Sequence, residues 1–385
     1  MKKTIASALA VLLICLAGCS GEKTAAGTEA TQKPATEPVT QSTEATEATM
    51  PSEGAACENQ VGDNTIDNFD HDADDRSKWN DPVWGSANLD EALNPVQVEF
   101  YNLFYELDVD SAEAWFKEHP DSLKDGYDHI QINESSLNAD GTTIRTVQGE
   151  KVLAIDTDNQ ILIVEVDCDG SRGVLAIGKR PSRLGLYPSA KLPGCGQVIG
   201  EIAEQNGGVL ALTGSGFYDE GGVGNGGLIA GWAMCSNGKT YGEHFGGGYK
   251  RLELHENGWF YINDAFSPVG EGTTDAMEFT PGLIINGNRL DPGIWTSQNP
   301  RACIGQSSRG EILMLSVEGR TVASPGCSVS VCADVLLAHD CITALNCDGG
   351  TTAILWYRGE PITRCSNAAT PQGRYLPNAW VYVGA

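Results

Sequence analysis

The chain has 385 residues and a formal net charge of −26, from 51 acidic against 25 basic residues. That balance argues against nucleic acid as a partner, because phosphate backbones are met by clustered Lys and Arg, and against general attraction to anionic lipid. It leaves room for a small anionic ligand, since one or two well-placed arginines outweigh a distant field.

Lys2 and Lys3 form a short positive start, and an apolar run follows from Ile5 to Leu16. The run is too short to cross a bilayer and suits the core of a signal peptide. It ends in Leu16-Ala17-Gly18-Cys19. This ending resembles the lipobox of bacterial lipoproteins, which implies cleavage after residue 18 and lipid on Cys19. Residues 19–56 are Thr, Glu, Ala, Pro and Ser with almost no large apolar side chain. They cannot bury enough surface to offset their ordering entropy and read as a disordered tether. No later segment is apolar enough to span a membrane, so the lipid would be the only attachment. The expected location is the cell membrane or outer membrane, on a face outside the cytoplasm.

About 330 residues remain, enough for one large domain or two modest ones. Residues 57–127 read as an acidic and helical lead-in. A calcium loop counted from Asp70 would want glycine sixth and glutamate twelfth, and the chain offers Asp75 and Asp81. Asn94 and Pro95 open a helix expected to reach Leu107, with Val96, Phe100, Leu103 and Leu107 at helical spacing. A second helix is expected from Ser111, as cap, to His119, stopped by Pro120. The aromatic residues Phe100, Phe104, Trp115 and Phe116 are expected to bury against the body.

Residues 128–385 form the main domain. Strands are expected at Thr143–Val147, Lys151–Ile155, Ile161–Val166 and Val174–Ile177, where apolar residues alternate between turns. A helix over 196–204 leads into a strand at Val209–Leu212, followed by a glycine-dense stretch over 214–248. Glycine there either lets backbone approach a ligand or simply builds turns. The C-terminal third predicts a strand at Ile312–Val317, a helix over Ser328–His339, and strands at Thr343–Asn346, Ala353–Tyr357 and Trp380–Val383. Such a mixture points to an α+β fold with a mixed β-sheet.

Ten cysteines follow the tether: Cys57, Cys168, Cys195, Cys235, Cys303, Cys327, Cys332, Cys341, Cys347 and Cys365. An even number in an exported chain favours disulfides, although spacing does not give the pairs and free cysteine also packs as a small hydrophobe. His339 lies among the last five, but no C-x-x-C pair is present, so neither a metal nor another cofactor is expected.

Five segments carry the chemistry: Ala211-Leu212-Thr213-Gly214-Ser215-Gly216-Phe217-Tyr218-Asp219, Asn299-Pro300-Arg301-Ala302-Cys303-Ile304-Gly305, Val317-Glu318-Gly319-Arg320, Ala344-Leu345-Asn346-Cys347-Asp348-Gly349-Gly350-Thr351-Thr352 and Gly373-Arg374-Tyr375-Leu376-Pro377-Asn378-Ala379. In this order they resemble the phosphodiester glycosidase family. The resemblance implies hydrolysis of a sugar-1-phosphate diester to free sugar and phosphomonoester, with a carbohydrate phosphodiester of the envelope or an extracellular polysaccharide as partner. A phosphomonoester leaves almost without protonation, so one carboxylate and several cations suffice. Asp348 would be the catalytic carboxylate and Arg301 the catalytic cation, with Arg320 and Arg374 either holding phosphate or forming structural ion pairs. The Gly349, Gly350 and Thr351 N–H groups, with the Thr351 and Thr352 hydroxyls, would add an anion nest. Ser215 and Asp219 would line the sugar pocket or cap a turn. Where the family carries Asn, Asp and a hydroxyl, this chain has Thr213, Glu318 and Ile354. Thr213 and Glu318 keep polar function, whereas Ile354 cannot hydrogen-bond. The alternative reading is therefore a non-catalytic sugar-phosphate-binding surface lipoprotein.

Overall fold

The structure is a computed structural model and describes residues 93–385 apart from 247, 292 and 294. The expected signal peptide, the lipid site at Cys19, the tether, and the Asp-rich segment with Cys57 lie outside the described residues. Among the described residues no helix is long and apolar enough to cross a membrane.

Three sheets carry the fold. The long one has nine strands in the order Gln131–Asn133, Lys151–Asp156, Ile161–Asp167, Arg172–Gly178, Ile312–Val317, Arg301–Ser307, Cys341–Asn346, Gly282–Ile285 and Asn288–Arg289. A second, of five, runs Phe260–Asp264, Lys250–His255, Thr273–Phe279, Trp232–Met234 and Thr240–Gly242. The third, also of five, runs Glu360–Pro361, Leu355–Tyr357, Gly208–Thr213, Asn378–Val383 and Leu184–Pro188. The class is α+β as expected. The ladders among the described residues are antiparallel throughout, however, where a mixed sheet is expected.

The long sheet is covered on both faces, which explains its near-continuous apolar strands. In Ile312–Val317 every residue is buried. Ile312 and Met314 enter a core shared with Leu186, Leu212, Leu252, Phe260 and Trp380 of the other two sheets. Leu313, Leu315 and Val317 point the other way, into a core shared with the helices through Phe100, Phe104, Phe116, Val329 and Leu336. The short helix Ile199–Gln205 covers the outer face of the third sheet through Ile199, Ile202 and Ala203.

The first helix spans Pro95–Leu103, and Asn94 and Gln97 close a reciprocal capping box at its start. It stops short of Leu107 because Phe104 already leaves helical geometry. The second spans Val109–Glu118. Its cap is Asp108 and not Ser111, since Asp108 accepts the Ser111 N–H at 2.9 Å while the Ser111 hydroxyl donates back to the Asp108 carbonyl. The helix Val329–Ala338 has the expected Ser328 cap. Thr143–Val147 forms no strand, and its β pairing is limited to isolated bridges at Arg145 and Thr146.

Several long strands stand outside the expected set, among them Lys250–His255. Charges disguise it, because Arg251 and Glu253 are both fully buried. The two pair at 2.7 Å, and Arg251 donates further to the carbonyls of Ala265, Ser267 and Pro268. A buried charge is tolerated where its donors are satisfied in this way.

Candidate active site

The strand Cys341–Asn346 ends where its partner Arg301–Ser307 begins, and Asp348 follows two positions after Asn346. The Asp348 N–H donates to the Gly214 carbonyl at 3.1 Å, which brings the loop after the strand Gly208–Thr213 against it. Gly350 has φ +67° and turns the chain into a short 3-10 turn over Gly350–Thr352. A side chain at Gly350 would also reach 3.0 Å from Arg320 Nη2, so the Arg320 guanidinium lies directly over this turn.

Asp348 is partly exposed as a residue, yet its carboxyl is deeply set. Burial pushes its pKa up from 3.8 to about 7, against the opposing pull of Thr352, the Gly349 N–H and the charge of Arg374. Next to it, Arg374 donates through Nη1 to Asp219 Oδ2 and through Nη2 to Asp219 Oδ1, the latter at 2.8 Å. The Arg374 fork holds the Asp219 carboxyl below its ordinary range. Arg374 also donates to the Gly224 carbonyl at 2.8 Å and sits over the Phe217 ring at 4.8 Å. Two neighbouring carboxylates are thus driven in opposite directions, the arrangement that separates proton-transfer from charge-stabilising roles. Beside the pair opens a cleft of about 740 Å³, lined by Asp219, Val223, Gly224, Thr351, Gly373, Arg374 and Tyr375.

Arg320 is exposed and has no ion-pair partner among the described residues; Nη2 donates to Asn299 Oδ1 at 3.2 Å. Its φ of +63° is a left-handed backbone conformation that costs a non-glycine residue about 1 kcal/mol or more. Arg301 is placed otherwise. It is buried, with Nε donating to the Cys327 carbonyl at 3.0 Å, Nη2 to the Ser297 carbonyl at 2.6 Å, and the Trp295 ring 5.9 Å away. Arg301 shares the helix-facing side of its strand with Cys303, while Ala302 faces the other core. The expected catalytic cation is therefore engaged with main-chain carbonyls; Arg374 is the arginine whose charge acts on Asp348, and Arg320 lies over the turn that follows it.

The expected anion nest is largely occupied by the turn itself. The Gly349 N–H donates to the Asp348 carboxylate and the Gly350 N–H to the Pro300 carbonyl, both at 3.0 Å. The Thr352 hydroxyl donates to the Gly349 carbonyl at 2.6 Å, leaving Thr351 on the cleft wall. Ser215 is fully buried and held by Asn378, which accepts its N–H and donates to its Oγ at 2.9 Å. Thr213 donates to the Thr352 carbonyl and accepts the Ile354 N–H, so it splints the Asp348 loop. Glu318 accepts from Arg172 at 2.6 Å and from the Arg364 N–H at 3.0 Å, a structural duty. The Ile354 side chain packs in a core with Trp356 and Leu376, so its lack of a hydroxyl removes nothing from the site.

An aromatic wall beside Asp348 was not anticipated. Phe245 and Tyr249 stack with centroids 4.6 Å apart, Tyr249 meets Phe279 at 5.9 Å, and Tyr218 lies 6.5 Å from Phe245. Burial, then the Asp348 charge, raise the Tyr249 hydroxyl above its ordinary range. Gly216 permits the approach, since a Cβ there would fall 2.6 Å from Phe279 Cε2. The Phe245 N–H and His244 both anchor on the buried Glu278, at 3.1 and 2.5 Å. The available signal was the aromatic content of the glycine-dense stretch.

Residues 206–383 match the phosphodiester glycosidase family. The zebrafish N-acetylglucosamine-1-phosphodiester alpha-N-acetylglucosaminidase catalytic domain, auto-inhibited by its pro-peptide, is similar in structure at 15% identity and a TM-score of 0.48, over 58% of this chain and 82% of that one. A hypothetical protein from Synechocystis is similar at 14% identity and a TM-score of 0.41, over 60% of this chain and 63% of that one. No curated protein matches the sequence. Over residues 206–383, then, the chain is similar to the phosphodiester glycosidase family.

Proposed function

We propose that this protein hydrolyses a glycosyl phosphodiester at the bond between C1 of the sugar and the phosphate oxygen, releasing free sugar and a phosphomonoester. The observation that supports it best is a carboxyl at about 7, Asp348, that feels the charges of the Asp219–Arg374 pair and leads into the turn that Arg320 overhangs. A group with that pKa exists in both protonation states near neutral pH and suits proton transfer with the attacking water. Asp219, held ionised, faces the positive charge that develops on the sugar carbon. Arg320 meets the phosphate, whose departure as a monoester needs little acid help. Tyr218, Phe245 and Tyr249 offer ring faces on which a sugar stacks.

The substrate class we assign is a sugar-1-phosphate diester of the cell envelope or an extracellular polysaccharide. This assignment rests on the expected lipid on Cys19, which would hold the site near such polymers. Metabolic labelling with palmitate tests the anchor, and label retained by Cys19→Ser would overturn it.

For the reaction, the purified chain is incubated with UDP-N-acetylglucosamine and simple alkyl sugar-1-phosphate diesters in ¹⁸O water. Released sugar carrying ¹⁸O, with turnover lost in Asp348→Asn, is the expected result. Label in the phosphate would place cleavage at P–O and overturn the mechanism. Saturable binding of sugar phosphates with no turnover across the panel would support a non-catalytic binder instead.

A further inference from the structure

In the strand Thr273–Phe279, Met277 and Phe279 enter the core shared by the sheets. Glu278 between them points the other way, fully buried and opposite Arg251 in the register. Three donors converge on its carboxylate. Oε2 accepts the N–H groups of Trp232 and Phe245, each at 3.1 Å, and Oε1 accepts His244 Nδ1 at 2.5 Å. Arg251 Nη1 stands further off, 3.9 Å from Oε1, because its shorter bonds go to Glu253 and main-chain carbonyls. The His244 ring stacks on Trp232 with centroids 5.2 Å apart. Gly231 makes room, since a Cβ there would fall 3.3 Å from Glu278 Cβ and 3.6 Å from Tyr249 Cε1.

The loop that supplies two of these donors is rich in glycine, at positions 242, 246, 247 and 248. Glycine loses more conformational freedom on ordering than any other residue, so the segment keeps one shape only where something fixes it. Among the described residues, both hydrogen bonds that fasten 243–246 to the body end on Glu278. A buried carboxylate deprived of its donors is costly, so the loop cannot lift away without stranding that charge. The clamp holds Phe245 where its ring meets Tyr249 at 4.6 Å and Tyr218 at 6.5 Å. A second loop joins this wall to the candidate catalytic carboxyl. Its Gly214 carbonyl accepts the Asp348 N–H at 3.1 Å, its Gly216 lies against Phe279, and Tyr218 follows.

We propose that Glu278 is a positioning residue for the sugar: through Phe245 and His244 it preforms the wall of rings, so that binding does not have to order the loop. This rests on the reading of Tyr218, Phe245 and Tyr249 as the faces on which the sugar stacks. Rigidity supplied in advance lowers the cost of binding. Among the described residues the hydrogen bonds of Asp348, Asp219 and Arg374 go to groups other than Glu278 and its loop. Loss of the clamp should therefore fall on KM and spare kcat.

Turnover is measured on alkyl sugar-1-phosphate diesters, and binding of glucose 1-phosphate and N-acetylglucosamine 1-phosphate by calorimetry. Glu278→Ala should raise KM and Kd by about 10- to 100-fold, the loss of charge-assisted hydrogen bonds, with kcat within about threefold of wild type. Glu278→Gln should stay near wild type, since its amide oxygen accepts both N–H groups and its NH2 group donates to a neutral His244 Nδ1. In a Phe245→Ala background, Glu278→Ala should add little, because the ring it positions is already gone. Unchanged KM and Kd in Glu278→Ala overturn the inference while leaving the role of Asp348 intact. A loss confined to kcat, or one fully additive with Phe245→Ala, overturns it too. Should the wild type turn over no diester, the proposed reaction fails and Kd alone decides here; no binding of either sugar phosphate then overturns both. Should Glu278→Ala fail to fold, the exposed His244→Ala replaces it, with an expected rise of about 3- to 10-fold in KM and Kd, and unchanged values overturn the clamp.

Discussion

Replacing Asp348 by Asn tests the site through stability as well as activity. In the folded chain the Asp348 carboxyl holds its proton to about 7, whereas an ordinary aspartate releases it at 3.8, because burial disfavours the charge. Between those two values the folded state binds the proton and the unfolded chain does not, so this group's contribution to stability falls as pH rises. At about 1.4 kcal/mol for each tenfold difference in proton affinity, the full loss is about 4 kcal/mol, and solvent at the exposed edge of the residue brings the expected figure to about 2–4 kcal/mol. Asparagine is neutral throughout, and its amide oxygen still accepts the Gly349 N–H. Asp348→Asn should therefore be more stable than wild type by about 2–4 kcal/mol at pH 8. The gain should vanish near pH 4, and turnover should be absent at both. Urea unfolding followed by tryptophan fluorescence at pH 4, 6 and 8 measures the difference. A gap that stays constant with pH, or one that favours wild type as pH rises, would refute the reasoning.

Other residues give separate expectations. Removing the Arg374 charge should raise the pKa of Asp348 further, since that charge helps hold it down, so in Arg374→Ala the rising limb of the pH–rate profile moves to higher pH; an unmoved limb counts against the assignment. Arg320→Ala should lower kcat/KM for phosphodiesters by about 10- to 100-fold, the loss of one charge-assisted contact, and change urea stability by no more than about 0.5 kcal/mol. An equal loss on a neutral aryl glycoside would show that Arg320 does not read the phosphate. Lys179 is fully buried between Glu106 at 2.5 Å and Glu311 at 2.7 Å. Lys179→Met strands both carboxylates and should cost about 3–5 kcal/mol in urea unfolding, and a cost under about 1 kcal/mol would mean that they are solvated or already neutral.

The sequence was most informative where one local rule dominated. Ile312–Val317 and Ile161–Asp167 are apolar runs long enough for a strand, and Ser328 ahead of an apolar periodic stretch marked its helix within a residue. It was least informative where polar groups are buried in compensating pairs. Arg251 and Glu253 are charged residues in a strand outside the expected set, and the carbonyls of Ala265, Ser267 and Pro268 that satisfy Arg251 reach it only once the chain is folded. The Ser111 cap failed for a smaller reason: Asp108, three residues earlier, is extended and accepts the Ser111 N–H, so Ser111 already lies inside the first turn.

The same division runs through the site. Asp348 at a strand end before two glycines, and Arg320 and Arg374 in their own short segments, are legible as a chemical set because residue type limits what each can do. Which arginine meets the carboxyl was decided by tertiary structure alone. Side chains alternate along a strand, so the pairing of Arg301–Ser307 with Cys341–Asn346 and Ile312–Val317 turns Ala302 toward one core and Arg301, with Cys303, toward the helices. The aromatic wall has the same origin. Tyr218 comes from one loop, Phe245 and Tyr249 from another and Phe279 from a strand, and long-range packing over Gly216 gathers them. Residue chemistry sets which reactions the chain can perform, and the register and packing of its strands determine which residues are near enough to perform them.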